Sequence, residues 1–368
     1  MKTVRRYDLA AACWCERDDL FLRWLRTYAA ESGVDLLVVE PLWVQDVLRT
    51  YAEGKLSCAV WLDLASDFTD AANPYTRLSW LARERGARVI NDPLRAACFS
   101  DKGKAHVALQ AAGLPVPFGI VVPAAAAETR VLSPDERTGL GASFFAKPCH
   151  GFAGRGVIGD AHEVRDIQRA AAAFADTEFL LQARVHFGEV HGEPAYWRVI
   201  CALGDIHLCW WHPRTREYGL VMQWQIADYG LWPLLEIGHR LVQVSGLEFF
   251  SVEVARTEGG AYVLVDYVNE QIDLRPKSFF RDGVPDELVR QIAWAVSQSA
   301  DQVRRAAPGD RNTDCREERL LTVAEHCRAG GHAWPPSAAA AVGAGATRPA
   351  APPSPPAPAS PAPAAAAP

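Results

Sequence analysis

Apolar and polar positions alternate in a regular way along the first quarter of the chain. Short apolar runs have the length of buried strands, and the stretches between them carry apolar side chains at helical spacing. Strands and helices in alternation predict a parallel sheet flanked by helices. The predicted elements, strand and helix in turn, are residues 9–15, 18–32, 35–40, 43–52, 58–64, 74–85 and 87–90. Asp18 lies at the start of the first helix, where an acidic side chain is a good cap.

Several polar side chains follow these strands. Because ligands of parallel sheets bind beyond the carboxyl ends of the strands, Asp63, Ser66, Asp67 and Asn91 are candidate substrate contacts. The alternative is that they are polar residues that close the strands. The sequence leaves both interpretations open.

The pattern changes after residue 100. A short helix follows Lys102 and is stopped by Gly113 and Pro115, and an Ala-rich and polar connector then leads to about Gly141. Residues 162–175 and 231–244 have helical spacing, and a final helix is predicted at 285–306. Strands are predicted at 118–122, 178–185, 196–203, 205–212, 250–256 and 261–267. Turn residues at 204–205 and 259–260 join the last four into two hairpins, so the chain is α/β with an α+β part.

Composition excludes several classes of protein. The 368 residues are 49% hydrophobic and 22% charged, which is ordinary for a soluble protein of two or three domains. A net charge of −6 without dense Lys/Arg blocks argues against a nucleic-acid binder. No apolar run reaches membrane-spanning length and residues 9–15 are too short for a secretory signal, so no membrane partner and a cytoplasmic location are expected. The nine cysteines are scattered as buried thiols rather than grouped as metal ligands.

Beyond Gly330 the sequence is dominated by Ala and Pro. It lacks the large apolar side chains that offset the loss of chain entropy on folding. We therefore expect this C-terminal tail to be disordered.

Residues 144–158 form the stretch with the clearest chemistry. Lys147 ends a short apolar run, and Gly151, Gly154 and Gly156 follow at a spacing that lets backbone N–H groups turn toward an anion. The predicted ligand is a phosphate, and a plain β-hairpin is the alternative. Within the stretch, Cys149 and His150 have ordinary interpretations as an apolar filler and a solvated loop residue.

Acidic residues lie inside the last two predicted strands. The tight loop between the strands brings Glu253 and Asp266 together, with Asn269 just after them. Carboxylate and amide oxygens suit a hard divalent cation, Mg²⁺ or else Mn²⁺. Hydrogen-bonded loop closure by Asp266 and Asn269 is the alternative.

Taken in chain order, this set of motifs resembles the ATP-grasp superfamily. The resemblance covers about residues 101–306, and residues 7–93 are similar to the α/β domain that precedes the fold in that family. It implies three parts: an N-terminal domain at 1–100, a two-lobed ATP-grasp domain at 101–308 that holds ATP between two sheets, and a tail at 309–368. The lobes would be 101–185, with the glycine-rich loop, and 186–308.

The resemblance also implies roles for individual residues. Lys102 and Lys147 would contact the nucleotide phosphates, and the loop from Gly151 to Gly156 would close over them. The adenine edge would meet the Gln182 side chain and the backbone of residues 183–185, and Glu189 would bind the ribose. The implied ligand set is Lys102, Lys147, Gly151, Gly154, Gly156, Gln182, Ala183, Val185 and Glu189 for ATP, and Glu253, Asp266 and Asn269 for one or two Mg²⁺.

The implied activity is an ADP-forming ligase that joins a carboxylate to an amine through an acylphosphate. A phosphotransferase of the same fold and a nucleotide-binding protein without turnover are the alternatives. Arg198 or Arg275 would stabilise charge in the transition state. The substrates would be small molecules or peptide ends, held near residues 210–224 and 269–275. There, Arg275 would pair with a carboxylate and Asp273 with an amine, or the two would pair with each other.

Three positions depart from the common pattern of that family. Asp266 and Asn269 are three residues apart where many relatives space them by two, which requires a bulge or turn in the strand. Ser251 lies where several ligases have an arginine, and Gln182 replaces an acidic residue while still offering an acceptor.

Overall fold

The computed structural model describes most of the chain up to residue 306. The expectations for Cys15, for Asp18 as a helix cap and for the C-terminal tail lie outside the described residues. The described ranges are 4–14, 19–151, 154–171, 173–174 and 177–306.

The N-terminal part is the predicted parallel sheet with helices on both faces. Its strands are parallel and lie in the order β2-β1-β3-β4. The first helix begins after Asp19, whose side chain accepts from the backbone N–H of Leu22. The elements are β1 (Arg5–Cys13), α1 (Leu20–Ser32), β2 (Leu36–Val39), α2 (Val44–Ala52), β3 (Leu56–Leu64), α3 (Pro74–Glu84), β4 (Arg88–Ile90) and α4 (Pro93–Phe99).

A second, antiparallel sheet forms the small lobe. Its strand order is β5-β8-β6-β7, and all three pairings are antiparallel. Apolar side chains of this sheet, such as Phe144 and Phe179, pack on one side of it against the short helices of the lobe. The elements are α5 (Lys102–Ala111), β5 (Gly119–Pro123), α6 (Pro134–Leu140), β6 (Phe144–Pro148), β7 (Ile158–Ala161), α7 (Gln168–Ala171) and β8 (Glu178–Ala183).

Two sequence predictions for this lobe were wrong. The connector before Gly141 contains α6, which starts with a capping box between Ser133 and Glu136. The helix predicted at 162–175 is much shorter, because a 3₁₀ turn at Val164–Ile167 precedes the single turn of α7. The alanine run that begins at residue 170 favours helix, so the sequence predicted a longer helix than the described residues contain.

The large lobe is a five-stranded antiparallel sheet in the order β13-β12-β11-β14-β15. Both predicted hairpins are present in it, and a two-stranded ribbon precedes it. The last helix returns to the N-terminal sheet, where it packs with α1 around Leu9 and Leu62. The elements are β9 (Glu189–Val190), β10 (Glu193–Pro194), β11 (Tyr196–Ala202), β12 (Asp205–Trp211), β13 (Tyr218–Leu220), α8 (Gln223–Asp228), α9 (Trp232–Ser245), β14 (Phe249–Arg256), β15 (Tyr262–Asn269) and α10 (Asp286–Arg305).

The register between β14 and β15 shifts twice. Ser251 pairs with Asn269, Glu253 with Asp266 and Val254 with Leu264, so β15 carries one extra residue at each step. The bulge that the Asp266 to Asn269 spacing requires is therefore confirmed. No helix within the described ranges is long and apolar enough to cross a membrane.

Candidate active site

Lys147 connects the two antiparallel sheets. It is 8% exposed at the end of β6, and its Nζ donates to the backbone oxygen of Val265 in β15 at 2.9 Å. Burial lowers the pKa of Lys147, and the nearby carboxylates of Asp266 and Glu253 oppose that shift. The lysine of the small lobe thus lies against the acidic hairpin of the large lobe.

Asp266 is the point where the predicted cations meet. Burial alone raises the pKa of its carboxyl, yet the net shift is downward because cations surround it. Lys147 contributes most to the lowering, followed by Lys102 and Arg198, and the Asn269 side chain adds a hydrogen bond. The four predicted site residues around Asp266 therefore converge, and its ionised form is stabilised.

Lys102 is the first residue of α5, directly after the helix cap Asp101. Its Nζ donates to the backbone oxygen of Gly151 at 2.6 Å, so it contacts the first glycine of the glycine-rich loop. His150 Nε2 lies 3.5 Å from an Asp101 oxygen, which ties the start of the loop to the same helix. The loop and the N-terminus of α5 are thus held next to each other.

The glycines of the loop are conformationally required. Gly154 and Gly156 both have φ of 73°, where a side chain would be strained. A Cβ on Gly156 would also lie 2.4 Å from the ring of Phe174. Cys149 is buried and packs against Gly103, and burial raises its pKa to about 12, which confirms that it is an apolar filler.

Arg198 lies opposite Glu253, in register on the neighbouring strand. Its guanidinium binds a Glu253 oxygen at 2.7 Å and stacks on Trp211 at 4.7 Å from the ring centre. Burial lowers the pKa of Arg198, but the acidic groups around it, Glu253 first and then others such as Asp266, together raise it above its ordinary value. The second Glu253 oxygen accepts from the Tyr196 hydroxyl at 2.8 Å, and the Nε of Arg198 is buried without a partner in the described structure. An arginine from the neighbouring strand therefore stands beside Glu253, although the position shortly before Glu253 in the sequence is Ser251.

The predicted base contacts lie at the end of β8. The Gln182 side chain is buried and its Nε2 donates to the hydroxyl of Tyr267 at 2.8 Å. The Ala183 N–H donates to the Phe118 oxygen and is thus engaged in the sheet. Val185 is partly buried against the core, and Glu189 is exposed on the β9–β10 ribbon.

Arg275 is engaged on the surface. It binds Asp273 at 2.8 Å and Asp282 at 3.1 Å, and its side chain is 45% exposed. Of the two arrangements left open by the sequence, the structure contains the internal Asp273–Arg275 pair.

The polar residues that end the N-terminal strands are used structurally. The Asn91 side chain accepts from the backbone N–H groups of Glu248 and Phe249 and donates to the Phe249 oxygen. Asp63 accepts from the Ser79 hydroxyl and from the N–H groups of residues 65 and 66. The alternative of polar strand closure is the arrangement found, because these hydrogen bonds occupy the atoms that a substrate would need.

The donor set around Asp266 fits a hard cation such as Mg²⁺. The described residues hold no cluster of three or more Asp, Glu, His or Cys side chains placed to bind a metal. Mg²⁺ in phosphate-transfer sites is usually held by only one or two carboxylates, with the rest of its shell from phosphates and water. Asp266 and Asn269 offer such oxygens, while Glu253 already accepts from Arg198 and Tyr196.

Sequence reasoning missed three residues of this region, Tyr196, His106 and Tyr267. Each is polar and buried within an apolar segment, which is the signal that marks a hydrogen-bonded side chain. Their partners come from strands or helices far away in the chain, so the sequence contained no indication of the pairing.

Comparison with known proteins identifies the fold. No protein-family model matches the sequence, and the comparison with curated proteins found no match. Among solved structures, a RimK domain ATP-grasp protein from Sphaerobacter thermophilus is 17% identical with a TM-score of 0.55, over 79% of this chain and 98% of that one. The ATP-grasp ligase PsnB, complexed with minimal precursor, Mg and ADP, is 15% identical with a TM-score of 0.52, over 81% and 99%. The D-cycloserine synthetase DcsG is 15% identical with a TM-score of 0.50, over 79% and 99%. The chain therefore has the ATP-grasp fold, which confirms the resemblance at the level of architecture.

Proposed function

We propose that the protein is an ATP- and Mg²⁺-dependent ligase that joins a carboxylate to an amine through an acylphosphate and releases ADP. The observation that carries the proposal is the convergence of Lys102, Lys147 and Arg198 on Asp266, in the cleft between two antiparallel sheets. Two of the similar structures support it by their descriptions. PsnB is an ATP-grasp ligase solved with precursor peptide and AMPPNP, and DcsG is a synthetase.

The cations of the cleft are suited to a triphosphate. Lys147 is buried and its ammonium has one backbone acceptor. A phosphate oxygen that bound there would attract the ammonium strongly, because electrostatic interactions are stronger away from water. Lys102 would exchange the Gly151 oxygen for a phosphate, and Gly151, Gly154 and Gly156 would offer backbone N–H groups from above. The base would lie further along β8, at Gln182, Ala183 and Val185, with the ribose toward Glu189.

Asp266 and Asn269 would hold Mg²⁺, with Glu253 next to them. The ion supplies charge neutralisation for the phosphates when bound. Glu253 keeps free lone pairs on both oxygens even while it accepts from Arg198 and Tyr196.

The chain's own residues would act mainly by position and charge. In phosphoryl transfer little covalent chemistry falls to the protein, so Lys102 and Lys147 would align the γ-phosphoryl group for attack by a substrate carboxylate. Arg198 would stabilise the charge that develops when the amine attacks the acylphosphate, since its Nε still lacks a partner. The glycine-rich loop would exclude water from this intermediate.

We place the acceptor beside residues 269–275 and the aromatic segment 210–224. Arg275 has two carboxylate partners and partial exposure, so we assign it to the rim rather than to the reacting atoms. The division into an N-terminal domain, a two-lobed ATP-grasp domain and a tail, with boundaries near 100 and 308, is part of the same proposal.

The proposal is tested by measuring ADP release from ATP and Mg²⁺ in the presence of pools of carboxylic acids, amino acids and peptides. We expect release that depends on a carboxylate and an amine together and that Lys147→Ala abolishes. Lys104→Ala, at an exposed lysine on α5, is the matched control and should leave the rate unchanged.

Three results would contradict the proposal in different ways. A stable phosphorylated product formed without an amine would indicate a phosphotransferase. Tight ATP binding without turnover would indicate a nucleotide-binding protein that has lost activity. ADP release that persists in Lys147→Ala would show that the cleft is not the site.

A further inference from the structure

A buried chain of hydrogen bonds runs through three segments that meet behind the cleft. Tyr267 of β15, His106 of α5 and Gln182 of β8 are each at most 2% exposed. The Tyr267 hydroxyl lies 2.8 Å from the Gln182 Nε2 and 2.5 Å from the His106 Nδ1. One side chain from each of the three segments that border the cleft therefore takes part in a single polar cluster.

The directions of these hydrogen bonds follow from the chemistry of each group. An amide NH₂ only donates, so the Tyr267 oxygen accepts from Gln182. The Tyr267 hydroxyl hydrogen is then free to be donated to His106 Nδ1, which must be unprotonated to accept it. Burial lowers the pKa of His106, which is consistent with a neutral ring.

The opposite end of the imidazole agrees with this assignment. His106 Nε2 lies against Gly119, where a Cβ would come within 2.9 Å of it. Interaction with the Gly119 backbone raises the pKa of His106 and so favours a proton on the ring, although Nε2 makes no full hydrogen bond within the described residues. A neutral ring with its hydrogen on Nε2 leaves Nδ1 as the acceptor, as the Tyr267 contact requires.

The amide of Gln182 is consequently fixed in one of its two orientations. Its NH₂ group is held by Tyr267, and its Oε1 accepts no hydrogen bond from the described residues. Gln182 pairs with Phe145, and Lys147 with Leu180, so Gln182 and Lys147 share one face of the sheet. Leu180 is the β8 residue opposite Lys147, and Gln182 lies two residues further along β8, a separation of about 7 Å along the strand.

We propose that Tyr267, oriented by His106, is a positioning residue that keeps the Gln182 carbonyl oxygen available to the nucleotide base and thereby makes the site prefer a 6-amino purine over a 6-oxo purine. The inference rests on the nucleotide site proposed above. A carbonyl oxygen accepts from a 6-amino group and repels a 6-oxo group, whereas a free amide turns its NH₂ to the latter. Discrimination is thus set by a residue that does not touch the base.

The test compares ATP with ITP, which has a 6-oxo group and lacks the 2-amino group of guanine. Dissociation constants of both, with Mg²⁺, are measured by calorimetry on the full-length protein and on Tyr267→Phe. Without the phenol the amide can rotate, so we expect the ITP-to-ATP ratio of dissociation constants to fall roughly tenfold, the effect of about one hydrogen bond. A merely structural role of Tyr267 would weaken both nucleotides equally and would overturn the proposal.

Two further variants separate orientation from stability. Tyr262→Phe is the matched control, because this tyrosine lies on the same strand and donates to the Gly230 oxygen away from Gln182. It should leave the ratio unchanged. In Tyr267→Phe with Gln182→Glu the carboxylate has no NH₂ to present, so the preference for ATP should return.

Gln182→Glu alone keeps the inference open to refutation if Tyr267→Phe does not fold. It should preserve or increase the preference for ATP, and an increased affinity for ITP would overturn the proposal. If the unaltered protein bound ATP and ITP equally, the positioning role would be wrong while the nucleotide site stood. If it bound neither, the proposed function itself would fail.

Discussion

Two buried polar clusters in this protein differ in how completely their hydrogen bonds are made. In the Asn91 clamp, formed by Asn91 with the backbone of Glu248 and Phe249, the side chain accepts twice and donates to the Phe249 oxygen. In the charge cluster, formed by Lys147, Arg198, Glu253 and Asp266, Lys147 has one acceptor among the described residues and the Nε of Arg198 has none. Buried polar groups normally find partners, so an incomplete set indicates a place for a ligand.

The difference explains why similar residues have different roles. Asn91 and Lys147 are both buried and both connect separate parts of the chain. The clamp stabilises the folded state because water is excluded and no partner is missing. The charge cluster contains N–H donors of Lys147 and Arg198 that are buried and have few acceptors. The oxygens of a bound polyanion would accept hydrogen bonds from these donors.

Removing the clamp should have the largest effect. Asn91→Leu leaves two N–H groups and one carbonyl oxygen without partners, and we expect the free energy of unfolding to fall by about 4 kcal/mol. Urea denaturation measures this loss. Nucleotide binding, assayed at low temperature where the variant remains folded, should persist.

Asn73→Ser is the matched control for that experiment. Asn73 caps α3, and serine is also a good cap, so the change should be a few tenths of a kcal/mol. An Asn91→Leu protein as stable as the unaltered one would mean that the clamp does not hold the two parts together.

Lys147→Met should separate activity from stability. We expect ADP release to fall by about 10³-fold, roughly 4 kcal/mol of transition-state stabilisation, because a preorganised cation is lost. The free energy of unfolding should fall by only about 2 kcal/mol, because removal of a buried ammonium partly offsets the loss of the cation that contributes most to stabilising the Asp266 carboxylate. A loss of stability as large as that of Asn91→Leu, with turnover intact, would reverse the comparison.

Arg198→Lys should have a smaller effect on turnover. Lysine keeps the charge beside Glu253 but loses the planar stack on Trp211 and the open Nε donor. We expect the rate of ADP release to fall by about 30-fold, or 2 kcal/mol, with little change in the KM for ATP. An increased KM at unchanged kcat would assign Arg198 to ground-state binding instead.

Arg275→Gln should have the smallest effect of the four. Its two ion pairs are partly exposed, and such pairs contribute at most about 1 kcal/mol. Turnover should remain within twofold of the unaltered protein, and raising the salt concentration should remove the stability difference. A tenfold loss of turnover would place Arg275 at the reacting atoms.

The sequence predicted the architecture better than the contacts. Alternating runs identified the parallel sheet, and glycine turns identified both hairpins, because these patterns are local. The pairing of Arg198 with Glu253 was not readable, since it depends on β11 lying beside β14 although two strands and two helices, β12, β13, α8 and α9, separate them in the chain. The same holds for the contact of Gln182 with Tyr267, which are 85 residues apart.

One local feature was overlooked although the sequence contained it. Ser133-Pro-Asp-Glu136 is a complete helix start, with a cap, a proline at the first position and a reciprocal glutamate. In contrast, the bulge between Asp266 and Asn269 followed correctly from the spacing, because an odd separation cannot place two side chains on one face of a regular strand.

The two register shifts in β15 have a consequence for how this gene can change over evolutionary time. Each shift stores one surplus residue opposite β14, and two surplus residues restore the inward and outward parity of the strand as a whole. Loss of one surplus codon would leave each remaining β15 residue opposite its present β14 partner and on its present face, so such a loss would change the local bend of the strand and not its pattern of faces. An alignment of this hairpin should therefore place a gap at a surplus residue and keep Glu253 opposite Asp266.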